Sequence, residues 1–326
     1  MQYADILSIL LRGLYVIKRA IYQMSRRYFM RLLAMLFFSF FLVPSGAAGA
    51  QETDIVHVKP ALWLVEKEDS KTYFLGSFHL LPKNYRWYSG KIQQSFESAD
   101  EVVLETVLTP QATAEIQGIV IKNGFFADGN TLKNHLDATR YDKMLIYAKK
   151  FMGQEEAAAQ KMKPWFMAVN LSLLAVMSHG MDPNSGVDKF LEGLARTDKK
   201  ILSGLETPAE QMAALTDHPL NVQSAMLSET LDQLDNFKTI MNNYLAAWGS
   251  GDGVRIGQTM LNDMKKYQGM YDALLVQRNK NWIPALEAHI KSGKTTLVVV
   301  GAAHLVGPDS VLRMLQDKGY KVEKIQ

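Results

Sequence analysis

From residue 61 onward the hydrophobic rhythm of the chain changes several times. Positions 61–66 and 71–78 are apolar and partly alternating, with a polar stretch at 67–70 between them, which predicts two strands joined by a turn. A helical stretch over 90–99 leads into a short apolar strand at 101–105. Between 110 and 195 the apolar positions recur at helical spacing, with breaks at 124–130 and at Gly153. The segment beginning at Pro164 is apolar nearly all round, the pattern of a buried helix. Positions 200–206 return to strand character, and 208–277 are helical again, interrupted by a glycine-rich hinge at 249–253. The tail reads strand, helix, strand. Its first strand, 296–300, is a continuous β-branched and apolar run, as expected of a strand covered on both faces. Gly307-Pro308-Asp309 then opens a helix with proline at its first position, and 321–325 closes the unit.

This succession predicts an α/β (α+β-like) fold, with a central, mostly parallel sheet built from both ends of the chain. A large helical insertion at about 110–292 is expected to form a lid. Neither end holds enough strands for a domain of its own, so residues 51–326 are expected to form a single domain.

The first fifty residues follow another pattern. Arg26, Arg27 and Arg31 precede an apolar run of twelve residues at 32–43, and the small residues of PSGAAGA follow, ending at Ala50. This is the layout of a secretory signal peptide cleaved after Ala50. Twelve helical residues reach about 18 Å against a hydrocarbon core about 30 Å thick, which favours a removed signal over a retained anchor. Ser25-Arg26-Arg27-Tyr28-Phe29 is also similar to a twin-arginine export motif, although the Phe-rich core behind it favours an ordinary charged leader. The expected location is periplasmic or secreted, with membrane contact only through this N-terminal signal or anchor.

Composition narrows the chemistry. The absence of cysteine excludes disulfide frameworks, thiol nucleophiles and cysteine-ligated metals, so catalysis has to use oxygen, nitrogen or a bound metal. The net charge of +3 is concentrated at the start, where residues 1–50 hold six of the 36 basic residues and one of the 33 acidic ones. The remainder is close to neutral and carries no electrostatic footprint for nucleic acid. There is no H-E-x-x-H, no Walker loop, no nucleophile elbow and no dinucleotide fingerprint.

Two motifs occur twice. Gly76-Ser77-Phe78-His79-Leu80 and Gly301-Ala302-Ala303-His304-Leu305 both follow an apolar strand, and Leu104-Glu105-Thr106 and Leu205-Glu206-Thr207 end two others. In a mostly parallel sheet these endings share one carboxyl edge, where open α/β sheets place ligands. Two imidazoles and two carboxylates would then converge, and glycine three residues before each histidine lets backbone or ligand approach closely. A single histidine at a strand end is often only hydrogen-bonded structure, and a strand-ending glutamate often a helix cap or surface charge. The double repetition is what favours a site. Arg278, in Arg278-Asn279-Lys280-Asn281-Trp282, is a candidate donor to an oxyanion, with a surface ion pair as the alternative. Asp188 and Asn279 are candidates for orienting other groups or for bonding helix ends. The remaining histidines fit surface roles, apart from His179, a spare candidate ligand.

Through these motifs the chain resembles the TraB/GumN family, which includes the Tiki-type metalloproteases and is distantly related to erythromycin esterases and a haem-binding bacterial branch. The resemblance runs through Ala61-Leu62-Trp63, Leu75 to His79, Val102 to Glu105, Gly186-Val187-Asp188, Leu205-Glu206-Thr207 with Gln211, Arg278-Asn279 with Trp282, and Val300 to Gly307. It implies an exported, metal-dependent, peptidase-like hydrolase acting on a peptide or protein. A divalent ion would be held by His79 and His304 with Glu105 or Glu206, and the other carboxylate would act as general base. Manganese or cobalt is what the resemblance favours, and zinc suits the same mixed ligands. The alternative is a non-catalytic extracytoplasmic protein that binds haem or another apolar ligand through one histidine.

Overall fold

The computed structural model describes residues 54–326, apart from 128 and 267, so the signal peptide expected at 1–50 lies outside the described residues. At its centre is a six-stranded sheet. β1 (Leu62–Lys67) and β2 (Ser70–Ser77) form a hairpin, joined by β3 (Glu101–Leu104), β4 (Ile201–Gly204), β5 (Thr295–Gly301) and β6 (Val322–Lys324) in the spatial order β6-β1-β2-β5-β3-β4. Neighbours from β2 through β5 and β3 to β4 are parallel, whereas β1 is antiparallel to both β2 and β6. The sheet is therefore mostly parallel and drawn from both ends of the chain, as its pattern predicts.

β5 shows why a central strand reads as an unbroken apolar run. Leu297 and Val299 enter one core beside Leu75, Val102 and Leu104, while Val298 and Val300 enter the other beside Phe74 and Val103. Each face is covered by helices. On the first lie α1 (Gly90–Ser98), through Ile92 and Phe96, and further along the chain the Leu191 and Trp248 segments.

The helical region makes two excursions rather than one, because β4 returns to the sheet between them. The first holds α2 (Pro110–Asn123), α3 (Ala138–Tyr147), α4 (Pro164–Ser178) and α5 (Val187–Thr197). The second holds α6 (Pro208–Thr216), α7 (Leu220–Leu234), α8 (Phe237–Gly249) and α9 (Gln277–Ile290). α4 packs against α7 and buries Trp165, Phe166, Met167 and Leu171, which accounts for its apolar circumference. α9, with α10 (Val311–Asp317), covers the second face of the sheet through Trp282, Leu286, Ile290 and Leu315.

Two local expectations change. The last helix does not open at Pro308: Ser310 is its N-cap, with Oγ accepting from the Arg313 N–H, and Gly307 at φ +85 makes the preceding turn. At 249–253 the glycines serve close packing as well as the turn. A Cβ on Gly249 would stand 2.8 Å from Val58 Cγ1, and one on Gly251, at φ +68, 2.7 Å from the Lys59 carbonyl oxygen. Among the described residues no helix is long and apolar enough to cross a membrane.

Candidate functional site

The parallel register brings the four predicted strand endings to one edge. Ser77 pairs with Gly301, so His79 and His304 follow from adjacent strands, and Leu104 pairs with both Val299 and Gly204. Backbone bonds from Leu205 N–H to Leu104 O and from Glu206 N–H to Glu105 O, each 2.9 Å, extend the pairing just beyond β3 and β4 and set the two glutamates side by side. The two Leu-Glu-Thr copies then diverge. Thr207 caps α6 in a reciprocal capping box with Glu210, whereas Thr106 Oγ1 is buried without a hydrogen-bond partner and Thr109 caps α2.

Between the carboxylates lies Arg278, on the first turn of α9. Its Nε donates to Glu206 Oε2 at 3.0 Å, and Nη2 to both Glu206 Oε1 at 2.5 Å and Glu105 Oε2 at 2.6 Å. Nη1 donates to the Leu274 carbonyl oxygen at 3.1 Å and to His304 Nε2 at 3.3 Å. The guanidinium also lies 4.9 Å from the Trp282 ring centre, and Trp282 Nε1 donates to Glu206 Oε2 at 3.1 Å. Five donors thus have five acceptors. Arg278 holds a buried ion-pair network, not a surface one, and an oxyanion could receive an N–H from it only if one of these bonds were released.

The two carboxylates are pushed apart electrostatically. Burial opposes ionisation of both, but for Glu105 the Arg278 charge and the Gly301 N–H, 2.7 Å from Oε1, prevail and hold its pKa well below the usual carboxylate range. For Glu206 burial, reinforced by the negative charge of Glu105, leaves the pKa raised. Gln211, one turn into α6, adds a 3.3 Å bond to Glu105 Oε2. Gly301 lets the carboxylate approach closely: a Cβ would stand 3.1 Å from Glu105 Oε1 and 3.4 Å from His304 Cδ2, so the Glu105 carboxylate would have to shift.

The histidines differ in setting. His304 is 4% exposed, and burial drives its pKa down to about 3, so the ring is neutral. Its Nδ1 meets Asn279 Oδ1 at 2.6 Å, and its Nε2 lies 3.8 Å from Glu105 Oε1. The side chain of His79 is 63% exposed, with Nδ1 bonded to Asp188 Oδ2 at 2.8 Å. The Asp188 charge raises its pKa to about 9, a pull that solvent around so open a ring partly screens. The structure therefore clusters Glu105, Glu206, Arg278 and His304, and leaves His79 on the solvent side of the same edge without a direct bond to them.

Among the described residues no group of three His, Asp or Glu side chains stands ready to hold a metal ion. The donor chemistry nonetheless suits one. Ligands each about 2.0–2.2 Å from one ion lie at most about 4.4 Å apart, and Glu105 Oε1 and His304 Nε2 satisfy that. His179 bonds the Ala175 carbonyl oxygen at the end of α4 and takes no part. A cavity of about 690 Å³ bordered by Trp63, Leu261, Val306 and Arg313 includes none of the clustered residues. Trp282 and Gln211 had no role assigned by pattern: Trp282 sits one helical turn after the Arg278 it lies against, whereas Gln211 serves Glu105, 106 positions earlier in the chain.

The model of the TraB/PrgY/gumN family matches residues 61–324. No curated protein and no solved structure matches the chain.

Proposed function

The chain belongs to the TraB/PrgY/gumN family, and from that premise we propose that it is an exported, metal-dependent hydrolase of peptide-like substrates. The observation that carries this reading is the approach of His304 Nε2 to Glu105 Oε1 at the carboxyl edge of the sheet: Oε1 has a lone pair beyond the one that accepts from the Gly301 N–H, and the Nε2 lone pair, which accepts from Arg278 Nη1, would turn to the ion when that bond is released. His304 Nε2, Glu105 Oε1 and His79 Nε2 would hold a divalent ion, manganese, cobalt or zinc, whose chemistry is to lower the pKa of a water molecule from about 15.7 towards about 7.

The chain's own groups divide the remaining work. Glu105, held ionised, supplies charge, and Glu206, with its raised pKa, is the carboxylate suited to receive a proton at Oε1 during attack on an amide carbonyl. Arg278 keeps the two acids apart and, by turning one Nη2 bond outward, would meet the developing oxyanion. A haem-binding protein would need only one of the histidines and leaves the Glu105–Arg278–Glu206 network without a task.

The test uses the chain from residue 51 onward, assayed for bound metal and digested with a peptide library. Stoichiometric divalent metal, with cleavage abolished by Glu105→Gln, is the expected result. A haem adduct without cleavage would overturn it. Export is checked by the mass of the protein recovered outside the cytoplasm, expected to begin at Gln51.

A further inference from the structure

The geometry assigns Asp188 and Asn279 as positioning residues that keep both imidazoles protonated on Nδ1, so that the lone pair of each ring lies on Nε2. The assignment deepens the metal-centre reading and rests on it for its purpose, though not for its geometry. A histidine in water prefers the other neutral form, with the proton on Nε2, so this state has to be imposed.

At His304 the imposition can be traced atom by atom. Asn279 Nδ2 donates to the Asp309 carbonyl oxygen at 2.8 Å, which a carbonyl can only accept. Oδ1 therefore faces the imidazole, and a partner that accepts at 2.6 Å requires the proton on Nδ1. At His79 the partner is the Asp188 carboxylate, again an acceptor. That contact is built by a three-residue clasp. A Cβ on Gly186 would fall 2.1 Å from the His79 carbonyl oxygen, so only glycine lets the backbones meet, and the Val187 N–H donates to the Phe78 carbonyl oxygen at 2.9 Å. Asp188 follows in the first turn of α5 and reaches the ring.

The two acceptors match their surroundings. The carboxylate is on the partly open Asp188, and the amide is Asn279, 1% exposed, where a third carboxylate would be costly to bury. Outer partners of this kind fix the ring orientation of metal-binding histidines, and their loss weakens metal binding about 10–100-fold.

Imidazole nitrogen NMR on the metal-free full chain gives a readout independent of activity when run well above pH 9, where His79 has given up its second proton and both rings are neutral. Wild type should show Nδ1 protonated in both rings. Asp188→Ala should move only His79, and Asn279→Ala only His304, towards the Nε2–H form, each with an Mn²⁺ affinity lowered about 10–100-fold. Asp188→Asn and Asn279→Asp keep an acceptor and should retain the Nδ1 proton, which also covers an alanine variant that fails to fold. An Nε2 proton in either wild-type ring, or alanine variants with unmoved nitrogen shifts, would overturn the assignment. Nδ1 protons in a chain that binds none of Mn²⁺, Co²⁺ and Zn²⁺ would uphold it while overturning the metal reading.

Discussion

All five N–H groups of Arg278 are engaged, and its side chain is 13% exposed between carboxylates that are 8% and 5% exposed. Removing one partner from such a set strands buried charge, so Arg278→Ala is expected to cost about 3–5 kcal/mol in urea unfolding. A divalent cation should restore part of that loss, because it can neutralise the same carboxylates. The histidines set the pH response. His304, with a folded pKa near 3, contributes stability that is complete above its unfolded value of about 6.5 and is lost as the pH falls towards 3. His79 has the opposite sign: its pairing with Asp188 is complete below about 6.5 and fades as the pH rises through 9. Thermal melts across this range should show both limbs, and His304→Gln should flatten the acid one. Metal affinity is expected to climb with pH until His79 gives up its proton, higher than an ordinary histidine would require. The residue types of this site were legible because they repeat. Their partners were not, since Arg278 reaches 72 and 173 positions back along the chain for its two acids, a pairing that no local pattern encodes.

At the scale of elements, glycines and caps decide what each strand ending presents. Gly301→Ala would press against the far end of Glu105, a side chain that can yield, so the expected result is lost cleavage with little change in melting temperature. Gly186→Ala meets backbone at His79 instead, and should destabilise the chain by about 1–3 kcal/mol in denaturant titration while loosening the ring. Sequence spacing placed a glycine three residues before each histidine, and the close-approach argument holds for both. What they approach differs: Gly76 lies against Ala302 Cα and Gly301 against the Glu105 carboxylate. The six strands of the central sheet and α1 were legible within a residue or two, because their apolar runs are bounded by polar turns, whereas the two-residue strands at 56–57, 81–82, 85–86 and 181–182 were not. The start of α10 was not, because Asp309 is occupied elsewhere, its carbonyl by Asn279 and its carboxylate by Tyr271, and Ser310 takes the cap.

For the whole molecule the decisive fact is where β5 sits. A late segment lies between two early strands, with residues 296–300 at most 1% exposed, so the cores on both faces depend on it. Ending the chain at residue 292 is expected to abolish cooperative unfolding by circular dichroism, not merely remove His304. Class and sidedness could be read from the apolar runs, whereas strand order could not, because pairing between distant segments leaves no periodic trace. The same placement bears on biosynthesis. While a ribosome is still translating the second helical excursion, β2 and β3 have no strand to join them to each other, and two bare hydrogen-bonding edges wait for Thr295–Gly301. A nascent polypeptide of this design keeps an unclosed sheet until Thr295–Gly301 has been made, a state in which chaperones can hold it.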